Sequence, residues 1–333
     1  MAVLTSSVLA ACGLFGRADP TVGHKRTAPS RPSVVVLDHG SSPRTRLRYR
    51  PTAGTTGELE LRTDVHLTQR LELPIDADGS GSGTASTPVV VDPPATIHRI
   101  RFTVTSADDR GHDLDLEVID ASIDPQGTTL TDAQLAAVTA EVRKSIGWRG
   151  TARIDPQGVA TSLDPLSAPA VAVQDDAPSG SPRTETDLSH QLATLIPPLP
   201  TQPVGRGARW RVTTTSPVGG TKLRQVATYE ITSIDGGSVL YRATIQQDAG
   251  QQVLSGSDRA TTQGGSASDK TQAGQLIAAH LSGTTTGRFD LDGLRSESET
   301  HLTGSQLVDV SSEPARRVRQ EMHLTSSSGP APS

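Results

Sequence analysis

The sequence predicts a mainly β fold of the α+β kind: long curved antiparallel sheets, with two short amphipathic helices. Three observations carry this. First, from Glu58 to Leu73 the apolar residues Leu59, Leu61, Val65, Leu67, Leu71 and Leu73 all hold odd positions, while Glu58, Glu60, Arg62, Asp64, His66, Thr68, Arg70 and Glu72 hold the even ones. Period two over such a length is a half-buried antiparallel strand, and a strand that long belongs to a large curved sheet. Second, Leu114, Leu116 and Val118 alternate before the phase slips to Ile119, Ala121 and Ile123, the signature of a β-bulge that bends a sheet. Third, helical spacing occurs in only two short stretches. With 333 residues the chain suffices for two domains or one large β domain.

Before the long strand, Arg44, Arg46, Arg48 and Arg50 line one side of a predicted strand. The row fits either anionic lipid headgroups or the charged guard of a sheet edge, and the guard is the simpler reading. After the strand, Asp78 to Thr84 is a Gly/Ser loop. Ile100, Phe102 and Val104 then alternate up to the turn Asp108-Asp109-Arg110-Gly111, and the bulged strand returns. Thr131 and Gln134 have capping-box spacing at the head of a helix whose stripe is Leu135, Val138, Val142 and Ile146, ended by Gly147. Ile154-Asp155-Pro156-Gln157-Gly158 is a turn with Pro preset and Gly free for positive φ, and the same five letters stand at Ile123 to Gly127. A Pro-rich connector leads to a second helix carrying Leu188, Leu192, Leu195 and Ile196, which must stop before Pro197-Pro198.

From Gly205 the pattern restarts. Leu223, Ala227, Tyr229 and Ile231 form one strand, and Val239, Tyr241, Ala243 and Ile245 form its partner across Asp235-Gly236-Gly237. Val318, Met322 and Leu324 mark the last strand. Arg209-Trp210-Arg211 echoes Arg48-Tyr49-Arg50, and Arg288 to Leu294 echoes Arg153 to Val159. The echoes read either as an internal duplication with its seam near Thr201 or as two hairpin systems obeying the same turn chemistry.

Charge argues against nucleic acid. The chain carries 31 Lys plus Arg against 36 Asp plus Glu, a net −5, where a nucleic-acid binder shows a concentrated basic face. The group Asp108, Asp109, His112, Asp113 and Asp115 is dense enough to suggest calcium, but its spacing matches no EF-hand, and the alternation with Leu114 and Leu116 makes it a solvated hairpin. Nine histidines are dispersed, none at metal-ligand spacing, and no nucleophile elbow, phosphate loop or dinucleotide fingerprint occurs. Neither enzyme chemistry nor a metal or other cofactor is expected.

One cysteine exists in the whole chain, in Leu9-Ala10-Ala11-Cys12. These residues resemble a bacterial lipobox: small residues before the cysteine, an aliphatic one ahead of them, and Gly13 after. The resemblance implies cleavage before Cys12, acylation of its sulfur by chains such as palmitate, and residence at the outer face of the cell membrane; two or three acyl chains make such an anchor effectively permanent. The leader lacks the basic n-region of a secretory signal, which points to a start codon assigned too far downstream. The organisation expected is therefore a signal peptide over 1–11, a lipidated flexible tether over 12–43 with Val34 to Leu37 as its one apolar break and a candidate short strand, β-rich halves over 44–200 and 201–326, and a disordered tail over 327–333.

The chain as a whole looks like the functionally uncharacterised bacterial lipoproteins of comparable length, with a tether followed by β-rich repeats. A helix laid on a curved sheet is also similar to the half-barrel of envelope lipoproteins that shelter lipids, a likeness of architecture. Two roles follow. One is a non-catalytic interaction or structural module that meets another envelope protein through a sheet face. The other is a carrier holding a lipid or other amphiphile in an apolar cavity, with Leu61, Leu67, Phe102, Leu135 and Val138 as candidate lining.

Overall fold

A computed structural model describes residues 31–72, 87–167, 196–218, 221–253, 275–312 and 315–331. In chain order the elements are β1 (Ser33–Asp38), β2 (Thr56–Glu72), β3 (Val89–Val91), β4 (Ala95–Asp108), β5 (Gly111–Asp124), α1 (Asp132–Arg143), β6 (Arg149–Ile154), β7 (Ala160–Ser167), β8 (Arg209–Val218), β9 (Thr221–Asp235), β10 (Ser238–Ala249), β11 (Gln252–Val253), β12 (Gln275–Asp290), β13 (Ser296–Ser312) and β14 (Ala315–Pro330). All 14 strands join one antiparallel sheet, in the order β1-β8-β9-β10-β12-β13-β14-β2-β4-β5-β6-β7, with β3 against β2 and β11 against β12. The sheet is open, with β1 and β7 as its edges.

Local chemistry explains the strands. In β2, Leu61 and Leu67 are buried and His66 and Arg70 exposed, as alternation demands. The phase slip in β5 is a bulge: Arg99 pairs with Asp120 and Ile100 with Val118, leaving Ile119 as the extra residue. Val118 and Ala121 thereby both reach the interior. Gly236 and Gly237, at φ 53° and 91°, close the β9–β10 hairpin as a two-residue turn, the geometry that follows the strand twist. The repeated pentapeptide makes the same turn twice. Asp124 Oδ1 accepts from the Gln126 amide and Asp155 Oδ1 from the Gln157 amide, both at 3.0 Å. Gly127 and Gly158 take φ of 75° and 81°, so turn chemistry alone accounts for that echo.

Two segments outside the sheet close one end of it. The turns β4–β5, β6–β7, β9–β10 and β12–β13 all lie at this end. Residues 44–50, expected as a strand, make only an isolated bridge, Thr45 to Val204. Their backbone is instead spent on loops: the Tyr49 amide donates to Pro156 O (2.9 Å) and the Arg50 amide to Leu291 O (2.6 Å). Leu47 and Tyr49 point inward and are fully buried, leaving Arg44, Arg46, Arg48 and Arg50 outside. The Leu199 amide donates to Gln157 O and the Tyr49 hydroxyl to Pro197 O (3.1 Å), tying 196–199 to the same turn. Inside, Trp210, Tyr229, Tyr241, Phe289 and Tyr49 form a chain of ring contacts with centroids 5.2–5.7 Å apart. With few aromatics in the chain, this end concentrates the largest apolar areas.

One boundary differs from expectation: the end of β14 runs through the expected tail to Pro330, opposite Leu59. In the tether region the short strand expected at Val34 to Leu37 is β1, an edge strand paired with β8. The two halves share one sheet rather than meeting at a seam. The second helix lies outside the described residues except for Ile196, which is not helical. Among the described residues α1 is the one helix, capped as read: the Gln134 amide donates to Thr131 Oγ1 and the Thr131 amide to Gln134 Oε1. Its stripe buries nothing fully, however. No helix among the described residues is long and apolar enough to cross a membrane.

Candidate functional site

At the closed end, the inner faces of β2, β4, β5, β6 and β7 do not fill their own interior. They leave a cavity of about 330 Å³ whose walls include Leu59, Ile100, Phe102, Leu114, Leu116, Ala152, Ile154 and Leu163. Ile196 borders it beside the β6–β7 turn, and Leu294, Arg295, Ser296, Pro330 and Ala331 complete the lining. The wall is aliphatic because the alternating strands send every second residue inward. Space remains because the ring cluster occupies the β8–β12 side of the interior, whereas Ala152, Gly57 and Gly158 contribute little bulk here. Gly57 has a specific reason: it faces Phe102 across the β2–β4 ladder, and a Cβ there would stand 2.5 Å from the ring. The far end of the Phe102 ring thus takes the space a side chain at Gly57 would need, as part of the cavity wall.

The rim is chemically uneven. Glu58 is exposed there, but the Arg101 Nη2 donates to its Oε1 at 2.9 Å, so its charge is met. Arg295 is exposed and has no carboxylate partner among the described residues. Ser296 is only 6% exposed, and its Oγ makes no hydrogen bond among the described residues. Leu294, just ahead, holds φ 52°, a conformation costly for a branched side chain. Its neighbour Gly293 does not take positive φ; Leu294 does, and is thereby turned into the core.

Of the residues expected to line a cavity, Phe102 does. Leu61 is buried in the main core and Leu67 in a smaller cluster with Val91, Leu281, Leu302 and Met322; neither borders the space. Leu135 and Val138 sit half-exposed on α1, away from it. Of the two helices expected over the opening, α1 does not border it, and the second lies outside the described residues. Leu9, Ala10, Ala11 and Cys12 lie outside the described residues. Leu114, Leu116, Leu294 and Ser296 were missed as lining; the alternation of 114 and 116 marked them as inward, though not as bordering empty space.

The acidic hairpin carries its own counter-charge. Arg153 clamps the acidic hairpin, donating to Asp108 Oδ1 and Oδ2 (3.0 Å each) and to Asp113 Oδ2 (2.7 Å). Asp108 is held below the usual carboxylate range by the Arg110 amide and then Arg153, and Asp113 by the Ser106 hydroxyl and then Arg153. No cluster among the described residues is arranged to hold a metal ion. A second furrow, along Arg101, Glu117, Arg149, Thr151 and Asp164, is polar, with Arg149 and Glu117 paired at 2.8 Å. No protein-family model matches the chain, and no curated protein matches its sequence.

Proposed function

We propose that this chain is a lipid-anchored module at the extracytoplasmic face of the cell membrane that binds an amphiphile, and that its role is carriage rather than catalysis. The observation that carries the reading is the cavity of about 330 Å³, walled by aliphatic side chains. Protein interiors pack to near-crystalline density with few voids larger than a water molecule, while ligand sites begin near 300 Å³. A space of this size and lining suits an acyl chain. The Leu9 to Cys12 motif supports the location, since a protein tethered at a lipid surface has amphiphiles within reach. Between the two roles open from sequence, the unfilled apolar interior favours the carrier over a module that acts only through its outer surface.

Native mass spectrometry of protein isolated from its own envelope tests the reading, alongside calorimetric titration with short-chain amphiphiles. Co-purifying lipid that is lost on Leu163→Trp, which fills the cavity from a half-buried wall position, is the expected result. A wild-type protein that carries nothing and titrates nothing overturns it. The anchor has its own test: palmitate label should enter the natural product and disappear with Cys12→Ser.

A further inference from the structure

We propose that the cavity rim is an anion-recognition site, with the Arg295 guanidinium and the Ser296 hydroxyl as donors to the acidic headgroup of a single-chain amphiphile. The inference rests on the amphiphile-binding reading and adds the ligand's class to it. Its first support is Ser296. A buried hydroxyl without a partner is costly and rare, and this one belongs to a residue that borders the cavity, at the start of β13. Second, Arg295 borders the same space with no acid to pair with among the described residues, while the rim's carboxylate, Glu58, is already held by Arg101. The uncompensated charge at the opening is therefore positive.

Third, the two donors are adjacent in sequence on a turn held in place: the Asp290 amide donates to Arg295 O at 2.9 Å and the Leu291 amide to Gly237 O at 2.9 Å. The Leu294 backbone at φ 52° belongs to this same turn, and strain of that kind collects where surrounding structure enforces a functional geometry. Fourth, the cavity's volume lies at the small end of ligand sites, which favours one chain over two. A carboxylate or a phosphate monoester matches the donors: both are acceptor-only groups that take charge-assisted hydrogen bonds from guanidinium and hydroxyl.

Calorimetry with four ten-carbon amphiphiles, each below its micelle threshold, tests this: decanoate, decyl phosphate, decyl maltoside and decyltrimethylammonium. Decanoate or decyl phosphate should bind most tightly, and whichever leads identifies the headgroup as carboxylate or phosphate. Arg295→Gln should weaken the leading anion about ten- to a hundredfold, the range of a lost charge-assisted bond, and leave decyl maltoside nearly unchanged. Ser296→Ala should weaken the same anion while leaving the unfolding temperature equal or higher, since it removes an unmet hydroxyl; that combination separates a ligand contact from a structural role. Equal binding of decanoate, decyl phosphate and decyl maltoside, or an anion preference untouched by Arg295→Gln, overturns the headgroup site and leaves the cavity reading standing. Binding of none of the four overturns both.

Discussion

At the scale of single residues, two positions store free energy in ways that can be read out. His98 stands on the inner face of β4 between Leu61 and Ala121. It is 6% exposed, and its Nε2 has no hydrogen-bond partner among the described residues. Burial pushes its pKa down to about 4, so the folded protein keeps the imidazole neutral. The unfolded chain takes up the proton near the ordinary value, and stability is therefore full above about pH 6.5 and falls as pH drops towards 4. About 3 kcal/mol is at stake over that window, from roughly 1.4 kcal/mol per pKa unit. Urea unfolding at pH 7 and pH 4.5 should show this loss, and His98→Leu should remove most of it; a wild-type stability that is flat over the window contradicts the assignment. Leu294 stores strain instead. Leu294→Ala and Leu294→Gly both delete the buried side chain, but only glycine is at ease with φ 52°. The glycine variant should thus be the more stable of the two by about 1 kcal/mol, opposite to the usual order, and thermal melts of the pair decide it.

Among elements, α1 and the β2–β4 ladder respond to substitution in contrasting ways. Since α1 buries no residue fully, its capping box is a large part of what holds it. Thr131→Ala should cost the helix about 1 kcal/mol, seen as faster amide exchange within 132–143 while the global unfolding midpoint barely moves. Gly57→Ala acts on the sheet: the new Cβ meets the Phe102 ring at 2.5 Å, and overpacking of this kind costs roughly 1–3 kcal/mol. A displaced ring also intrudes on the cavity, so amphiphile binding should weaken together with the melting temperature. What could be read from sequence divides along the same line. The bulge at Ile119, the caps of α1 and the turn at Gly236-Gly237 were legible because each is local chemistry over a few residues. Leu47 and Tyr49 sit on an alternating segment that mimics a strand, and nothing local says that its backbone partners are the loops at Pro156 and Leu291. The cavity was less legible still. Alternation tells which side chains face inward, but whether opposing faces meet depends on what long-range neighbours supply, and only Phe102 of the five expected lining residues borders the space.

For the molecule as a whole, chain order and sheet order disagree, and that disagreement has consequences. Strands β8 to β14 lie between β1 and β2, so the first half of the chain flanks the second on both sides. The junctions are extensive: β14 pairs with β2 from Arg317–Glu72 to Pro330–Leu59, and β1 pairs with β8. The main core draws on both halves as well, with Leu47, Tyr49 and Ile154 in one cluster with Trp210, Tyr241 and Phe289. Arg31, two residues before the strand at one edge, adds a bond to Asp155 in the turn before the other, at 3.1 Å. A repeat protein whose halves were separate domains would survive cutting at its seam. Here a cut near Thr201 leaves fragment 1–200 without a neighbour for β1 or for one side of β2, and fragment 201–333 with β8 and β14 as bare edges. Exposed edges of that length invite aggregation, and each fragment loses half of the shared core. Expressed alone, each should be insoluble or lack a cooperative melt. Co-expressed, they should assemble into a one-to-one complex with the intact chain's near-ultraviolet dichroism, because every ladder except the chain connection itself can re-form. A single fragment that unfolds cooperatively on its own would instead make the sheet a docking of two independent domains.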